Sequence, residues 1–185
     1  MNSLGRPVFA LVLAVLAVSA PSHRASAQAF NALNAGTYQS PKGFGLSLQV
    51  QNDSVSFDAL TVVADLRGVI AKGYSTPGIK CTYTRDIIIK HIDREGCGID
   101  FYAGPGLTAG YVHDGGEPFC FIAGMSGVAG GRFSFDRNFT INLELGGDIA
   151  LKAGKDYRFN RLKINDYRSG FYYILCPQLL IHWRF

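Results

Sequence analysis

Between Phe139 and Leu151 the chain alternates between two chemistries. Phe139, Ile141, Leu143, Leu145, Gly147, Ile149 and Leu151 occupy every second place, with Thr140, Asn142, Glu144, Gly146, Asp148 and Ala150 between them. Successive side chains of a strand point to opposite faces, so this stretch reads as a strand with one apolar and one polar face. The same period returns along most of the chain. It sets Phe44, Leu46, Leu48 and Val50 against Gly45, Ser47, Gln49 and Gln51, and Leu60, Val62 and Ala64 against Thr61, Val63 and Asp65. Ile79, Cys81, Tyr83, Ile87 and Ile89 alternate with Lys80, Thr82, Thr84, Asp86 and Lys90; Arg85 interrupts that apolar face. Phe101, Leu107 and Tyr111, then Phe121, Met125 and Phe133, then Leu179, Ile181, Trp183 and Phe185 continue the pattern. An all-β fold follows, and it suits a chain with 22 glycines and 12% aromatic residues.

Only 17% of the residues are charged, below the quarter or so usual in soluble domains. Part of the reason lies at the start. Arg6, the 11-residue apolar run Val8 to Val18, Pro21 and the small residues Ala25-Ser26-Ala27 have the layout of a secretory signal peptide, cut before Gln28. The run is shorter than the 20 or so residues a spanning helix needs. An uncleaved anchor is the alternative reading; no cysteine stands at the cut to take a lipid. Removing residues 1–27 takes away Arg6 and Arg24 and no acid, leaving a mature chain, 28–185, of formal charge +2. No later segment reads as a transmembrane helix, so a membrane location would require strands. No basic run points to nucleic acid.

Two-faced strands can close with the apolar side inward, as in a soluble barrel or sandwich, or outward, towards lipid. Lipid is favoured by strands longer than the 9–11 residues that cross a bilayer. Aromatic residues towards both ends of the apolar faces and small residues on the other face point the same way. The polar face then becomes a narrow lumen lined by Asp65, Arg67, Lys80, Asp86, Lys90, Asp100, Arg132, Glu144, Asp148, Lys152 and Arg184. Opposite charges in nearly equal number suit ion pairing in a confined space. The soluble alternative would expose these charges and bury the apolar face around an apolar ligand.

The last strand, ending in Leu179, Ile181, Trp183 and Phe185, resembles the C-terminal signal that outer-membrane proteins present to the barrel-assembly machinery. The segment Asp100 to Tyr111, DFYAGPGLTAGY, is similar to the Gly-aromatic strands of small Gram-negative outer-membrane barrels of the OmpA-transmembrane, OmpX and OmpW type. The resemblance spans roughly residues 43–185. It implies an up-and-down antiparallel transmembrane barrel of about eight strands in the outer membrane, and no activity.

Seven strands are readable, at 43–51, 56–67, 79–91, 98–112, 119–135, 139–152 and 171–185. Short connections alternate with longer ones at 68–78, 113–118 and 153–170, as expected of periplasmic turns and outer loops. An even strand count needs one more, placed within Ala29–Tyr38 ahead of a turn at Ser40-Pro41-Lys42-Gly43; Arg161–Ile164 is the rival position.

Sites are few. Cys81, Cys97, Cys120 and Cys176 are even in number, as exported disulfides would be, but their spacing matches no zinc motif. His113, Asp114 and Glu117 could bind metal or move protons, but they stand in a Gly-rich stretch that reads better as a solvated outer turn. His182 reads as a packing or hydrogen-bonding residue of the lumen. Gly104-Pro105-Gly106 precedes no helix and is expected to mark a kink or bulge rather than a phosphate loop. The sequence thus predicts a non-enzymatic barrel with no cofactor or metal. Its outer loops would contact envelope or host partners. A soluble ligand-binding barrel and a lipid-modifying barrel enzyme are the alternatives.

Overall fold

The computed structural model describes residues 33–66, 69–70, 77–114, 117–135, 138–156, 161–169 and 175–184. The segment read as a signal peptide, Arg67 and Phe185 lie outside the described residues. Nine strands form: β1 Leu33–Ser40, β2 Gly43–Gln51, β3 Ser56–Asp65, β4 Gly78–Arg94, β5 Cys97–Asp114, β6 Glu117–Phe135, β7 Phe139–Asp156, β8 Arg161–Ser169 and β9 Cys176–Arg184. Each neighbouring pair is antiparallel, and β1 pairs with β9 to close the sheet on itself. The result is an up-and-down barrel of eight staves.

The eighth stave holds two strands. One edge of β7 pairs with β6 along its length. On the other edge β9 occupies Phe139 to Gly146 and β8 occupies Asp148 to Asp156. Ser169 is opposite Asp148 and Cys176 is opposite Gly146, so a single β7 residue, Gly147, separates the two pairings. Both rival positions for the missing strand are therefore strands: 33–40 is a full stave, and 161–169 extends the last one. The connections expected at 113–118 and 153–170 are largely strand, because β5, β6 and β7 continue past the predicted ends.

The register sets the barrel's dimensions. From Leu143 the hydrogen-bonded partners run through Leu179, Gln39, Phe44, Ala64, Ile79, Tyr111 and Phe121 to Ala153. One circuit thus returns to β7 ten residues along. Eight strands with a shear of ten tilt by about 40° from the barrel axis, given the usual rise and strand spacing. Such a barrel is just wide enough for side chains to fill.

One irregularity changes which side chains face inward. Between β4 and β5 the pairing passes from Ile88↔Tyr102 to Lys90↔Phe101, a bulge at Ile89. A single extra residue reverses the alternation beyond it. Lys90, expected in the lumen, therefore shares a face with the exposed Phe101 and points outward, while His91 pairs with the lumen residue Asp100. The bulge expected at Gly104-Pro105-Gly106 is absent; those residues keep a continuous register with β6. Gly104 serves packing instead, since a Cβ there would stand 2.2 Å from Asp86 Oδ1 and 2.3 Å from Arg85 O.

The faces are inverted relative to a soluble protein. Leu46 is 68% exposed, Met125 66% and Ile149 67%, and Leu48, Ile79, Leu107, Leu143 and Leu151 are exposed with them. Ser47, Gln49, Asp86, Asn142, Glu144, Asp148 and His182 are buried inside. Three small apolar clusters interrupt the polar lumen: Phe57, Ala59 and Tyr102; Tyr38, Val63 and Leu180; and Val112, Ile122 and Ala150. No described helix is long and apolar enough to cross a membrane.

Candidate functional site

Among the described residues the lumen is where strands from all sides bring polar groups together, and it is crossed at two levels. Near the inner end Arg132, from β6, donates through Nε and Nη2 to Asp100 Oδ2 on β5, at 2.9 and 2.7 Å. Its Nη1 donates to Gln51 Oε1 on β2 at 3.0 Å. β6 and β2 are four staves apart in an eight-stave barrel, so this side chain reaches across the lumen. The guanidinium also lies 4.7 Å from the centroid of Phe57 on β3, within cation–π range. Phe57 and Tyr102 pack edge to face at 4.9 Å. Beside them the Tyr102 hydroxyl donates to Glu144, which also accepts from Asn142 Nδ2 at 3.3 Å.

Nearer the outer end Lys80 Nζ donates to Asp148 Oδ2 at 2.6 Å, from β4 to β7. Above and below this bridge are two cavities of about 20 Å³ each, bordered by Tyr38, Lys80, Asp148 and Gln178. That is room for roughly one water apiece. Asp65 is buried at the same outer level, and Lys42 borders the upper cavity. Asp86 is 1% exposed; its Oδ2 accepts from Thr84 Oγ1 at 3.0 Å.

The ion pairing differs in detail from the sequence reading. Asp65, Lys80, Asp86, Asp100, Arg132, Glu144, Asp148 and Lys152 do face inward. Arg184 is exposed at the inner mouth, and Lys90 faces out. Lys80 and Arg132 are the bases that could have matched Glu144, yet they bind Asp148 and Asp100 instead. Glu144 is held by neutral partners. Sequence reading also missed His91, whose Nδ1 lies 2.5 Å from Asp100 Oδ1 and Nε2 3.1 Å from Asp93 Oδ1. With a carboxylate on each ring nitrogen it has no free atom to activate a nucleophile. Its signal was invisible because only the bulge turns it inward. The side chains of His113 and Glu117 lie outside the description.

Cys81, Cys97, Cys120 and Cys176 form no disulfide; Cys120 and Cys176 are buried in the lumen wall, on different levels of β7 opposite Gly154 and Gly146. Among the described residues no group of three His, Cys, Asp or Glu converges as a transition-metal site requires.

On the outer face the aromatic residues cluster near the ends. Phe135, Phe139 and Trp183 form a chain around the inner rim, with centroids 6.3 and 5.8 Å apart. Tyr111 and Phe121 pair at 5.5 Å near the outer end of β5 and β6. Leu179, Ile181 and Trp183 all point outward from β9, which joins β1 to close the barrel. Comparison of the chain with protein-family models, curated proteins and solved structures returns no match.

Proposed function

We propose that this protein is an integral outer-membrane barrel of a Gram-negative cell, non-enzymatic and closed to general diffusion. Its outer hairpins would be the parts that meet envelope or host partners. One observation carries the reading: the large apolar side chains form an outward band, broken at Arg85 and Asp58, and most of the charged strand residues are inside. In water such a surface would cost roughly 25 cal/mol for each Å² of apolar area left exposed. In a bilayer it is the stable arrangement. The aromatic clusters at both ends fit interfacial girdles. From Phe121 to Phe133 the axial distance is about 30 Å at a 40° tilt, comparable to a hydrocarbon core.

A soluble barrel for an apolar ligand would need the opposite polarity, with room inside. Here the lumen is filled and polar, and the cavities hold about one water each. The crossing by Arg132 argues against a general pore.

The test is extraction and gel behaviour. The native protein should remain with membranes in carbonate and run as a heat-modifiable band. A photoactivated lipid-soluble probe at position 143 should crosslink to acyl chains. Release by carbonate, or no acyl crosslink in the folded protein, would overturn the reading. Deleting Phe185 tests the assembly signal separately: outer-membrane yield should fall, and normal yield would count against it.

A further inference from the structure

We propose that the inner lumen binds one alkali-metal cation, held by the Asp86 carboxylate and the side-chain oxygens of Gln49 and Asn142. The inference depends on the barrel and not on its membrane location. Gln49 from β2, Asp86 from β4, Asn142 from β7 and His182 from β9 all face inward and are at most 1% exposed. The register and the 40° tilt bring their Cα atoms to one level, within about 3 Å along the axis. At that level Gly36, Ala59 and Gly130 put little or no side chain into the lumen, and Phe57 and Tyr102 line the β3 and β5 sides.

Each of the four has buried atoms with no protein partner: both amide atoms of Gln49, Oδ1 of Asp86, Oδ1 of Asn142 and both ring nitrogens of His182. Buried polar groups are rarely left this way, because each costs the full desolvation of the group. The Asn142 amide is oriented by its Nδ2, which donates to Glu144, so the free atom is the oxygen. Charge completes the case. Arg132 is committed to Asp100, and neither Asp86 nor Glu144 forms an ion pair among the described residues. Water alone could satisfy the amide and ring atoms but would leave the Asp86 and Glu144 carboxyls to be neutralised by protons, with no ion partner. A hard monovalent cation answers both needs, since it takes carboxylate, amide and water oxygens together. His182 and Thr140 would then meet the cation's remaining waters.

The experiment uses the full folded barrel in detergent. Its thermal midpoint is measured in lithium, sodium, potassium and N-methylglucamine chlorides at constant ionic strength. At least one alkali cation should raise the midpoint saturably, by about 5–10 °C at a hundredfold excess over its dissociation constant. Asp86→Asn should abolish the response, and Gln49→Met, which keeps the volume but loses the oxygen, should weaken binding at least tenfold. Asp53→Asn, at an exposed turn, should respond like wild type. Equal midpoints in all four salts, or an unchanged response in Asp86→Asn, would overturn the proposal. If Asp86→Asn does not fold, thallium diffraction on the wild type decides: an anomalous peak between Asp86, Gln49 and Asn142 supports the site, and its absence overturns it.

Discussion

The two halves of the barrel wall differ in length by about twofold. β1, β2, β3 and β9 have 8 to 10 residues, whereas β4 to β7 have 17 to 19. At a 40° tilt the short staves cover about 20–25 Å along the axis and the long ones about 43–48 Å. The short half therefore does little more than match the apolar band of roughly 25 Å found in such barrels. In the long half β5, β6 and β7 continue outward beyond the band, with β8 added to the edge of β7, whereas the excess of β4, Ile88 to Arg94, runs past the inner end of β3 and pairs with the start of β5. On the proposed membrane reading, length on one side answers the bilayer, and the excess on the other answers something beyond it. Side chains from the two halves meet in the lumen, where Arg132 of the long half reaches Gln51 and Phe57 of the short one.

Breaking that meeting point should have the largest effect. Arg132→Leu leaves the Asp100 carboxylate with His91 alone and frees Gln51, and should cost about 3 kcal/mol, towards the lower end for loss of one partner from a buried pair. Equilibrium unfolding in urea would measure it. A cost under 1 kcal/mol would mean the two halves are held by the sheet alone.

Next comes the contrast between band and projection. Leu143→Arg, in the outward band beside Leu179, should cost about 2–4 kcal/mol in lipid vesicles near the midplane. Ile164→Arg, on the exposed face of β8, should cost about 0.5 kcal/mol or less, like an ordinary surface change. Equal costs at the two sites would place β8 in the membrane and undo the division.

Gly104→Ala tests packing within the long half. The added methyl meets the Arg85 carbonyl as well as the Asp86 carboxylate, and a backbone atom cannot swing aside. A loss of about 1–3 kcal/mol is expected, the usual cost of overpacking. Wild-type stability would show that β4 can move away from β5 there.

The smallest effect lies in the short half, at the turn joining β2 and β3. Asp53 Oδ1 accepts from the Val55 amide at 2.9 Å and from Ser56 Oγ at 3.0 Å. Those bonds, the Val55 N–H foremost, hold the Asp53 carboxyl below the usual carboxylate range. A depressed folded-state value means the stabilisation is present at neutral pH and disappears as pH falls through that value. The unfolding midpoints of wild type and Asp53→Asn should therefore differ slightly at pH 7 and converge in acid. A difference that widens in acid would reverse the assignment.

How much of this was legible in the residues varies by element. Phe139 to Leu151 announced its faces without ambiguity, since thirteen residues of strict alternation admit one strand register. The turn at Ser40 to Gly43 and the first stave were legible from strand parity. The lumen partners were not. Glu144, Lys80 and Arg132 could all be assigned inward from the period, but pairing depends on which staves stand across from each other and how far each is sheared. Nor was the Ile89 bulge visible in a run of three isoleucines, where any of the three could be the extra residue. That bulge alone turned Lys90 out and His91 in.

The residues by themselves determined that this chain forms two-faced strands, because side-chain direction along a strand is a local property with a period of two. They also called for an even count, about eight, because an all-antiparallel up-and-down barrel closes only at an even number of staves. Tertiary structure alone decided the rest: the splitting of the last stave into β8 and β9, the shear of ten, and the choice of Asp148 for Lys80 and Asp100 for Arg132. These depend on distances across and around the closed sheet, between residues as far apart in the chain as Asn34 and its β9 partner Arg184. No local pattern encodes such a distance; closure of the sheet does.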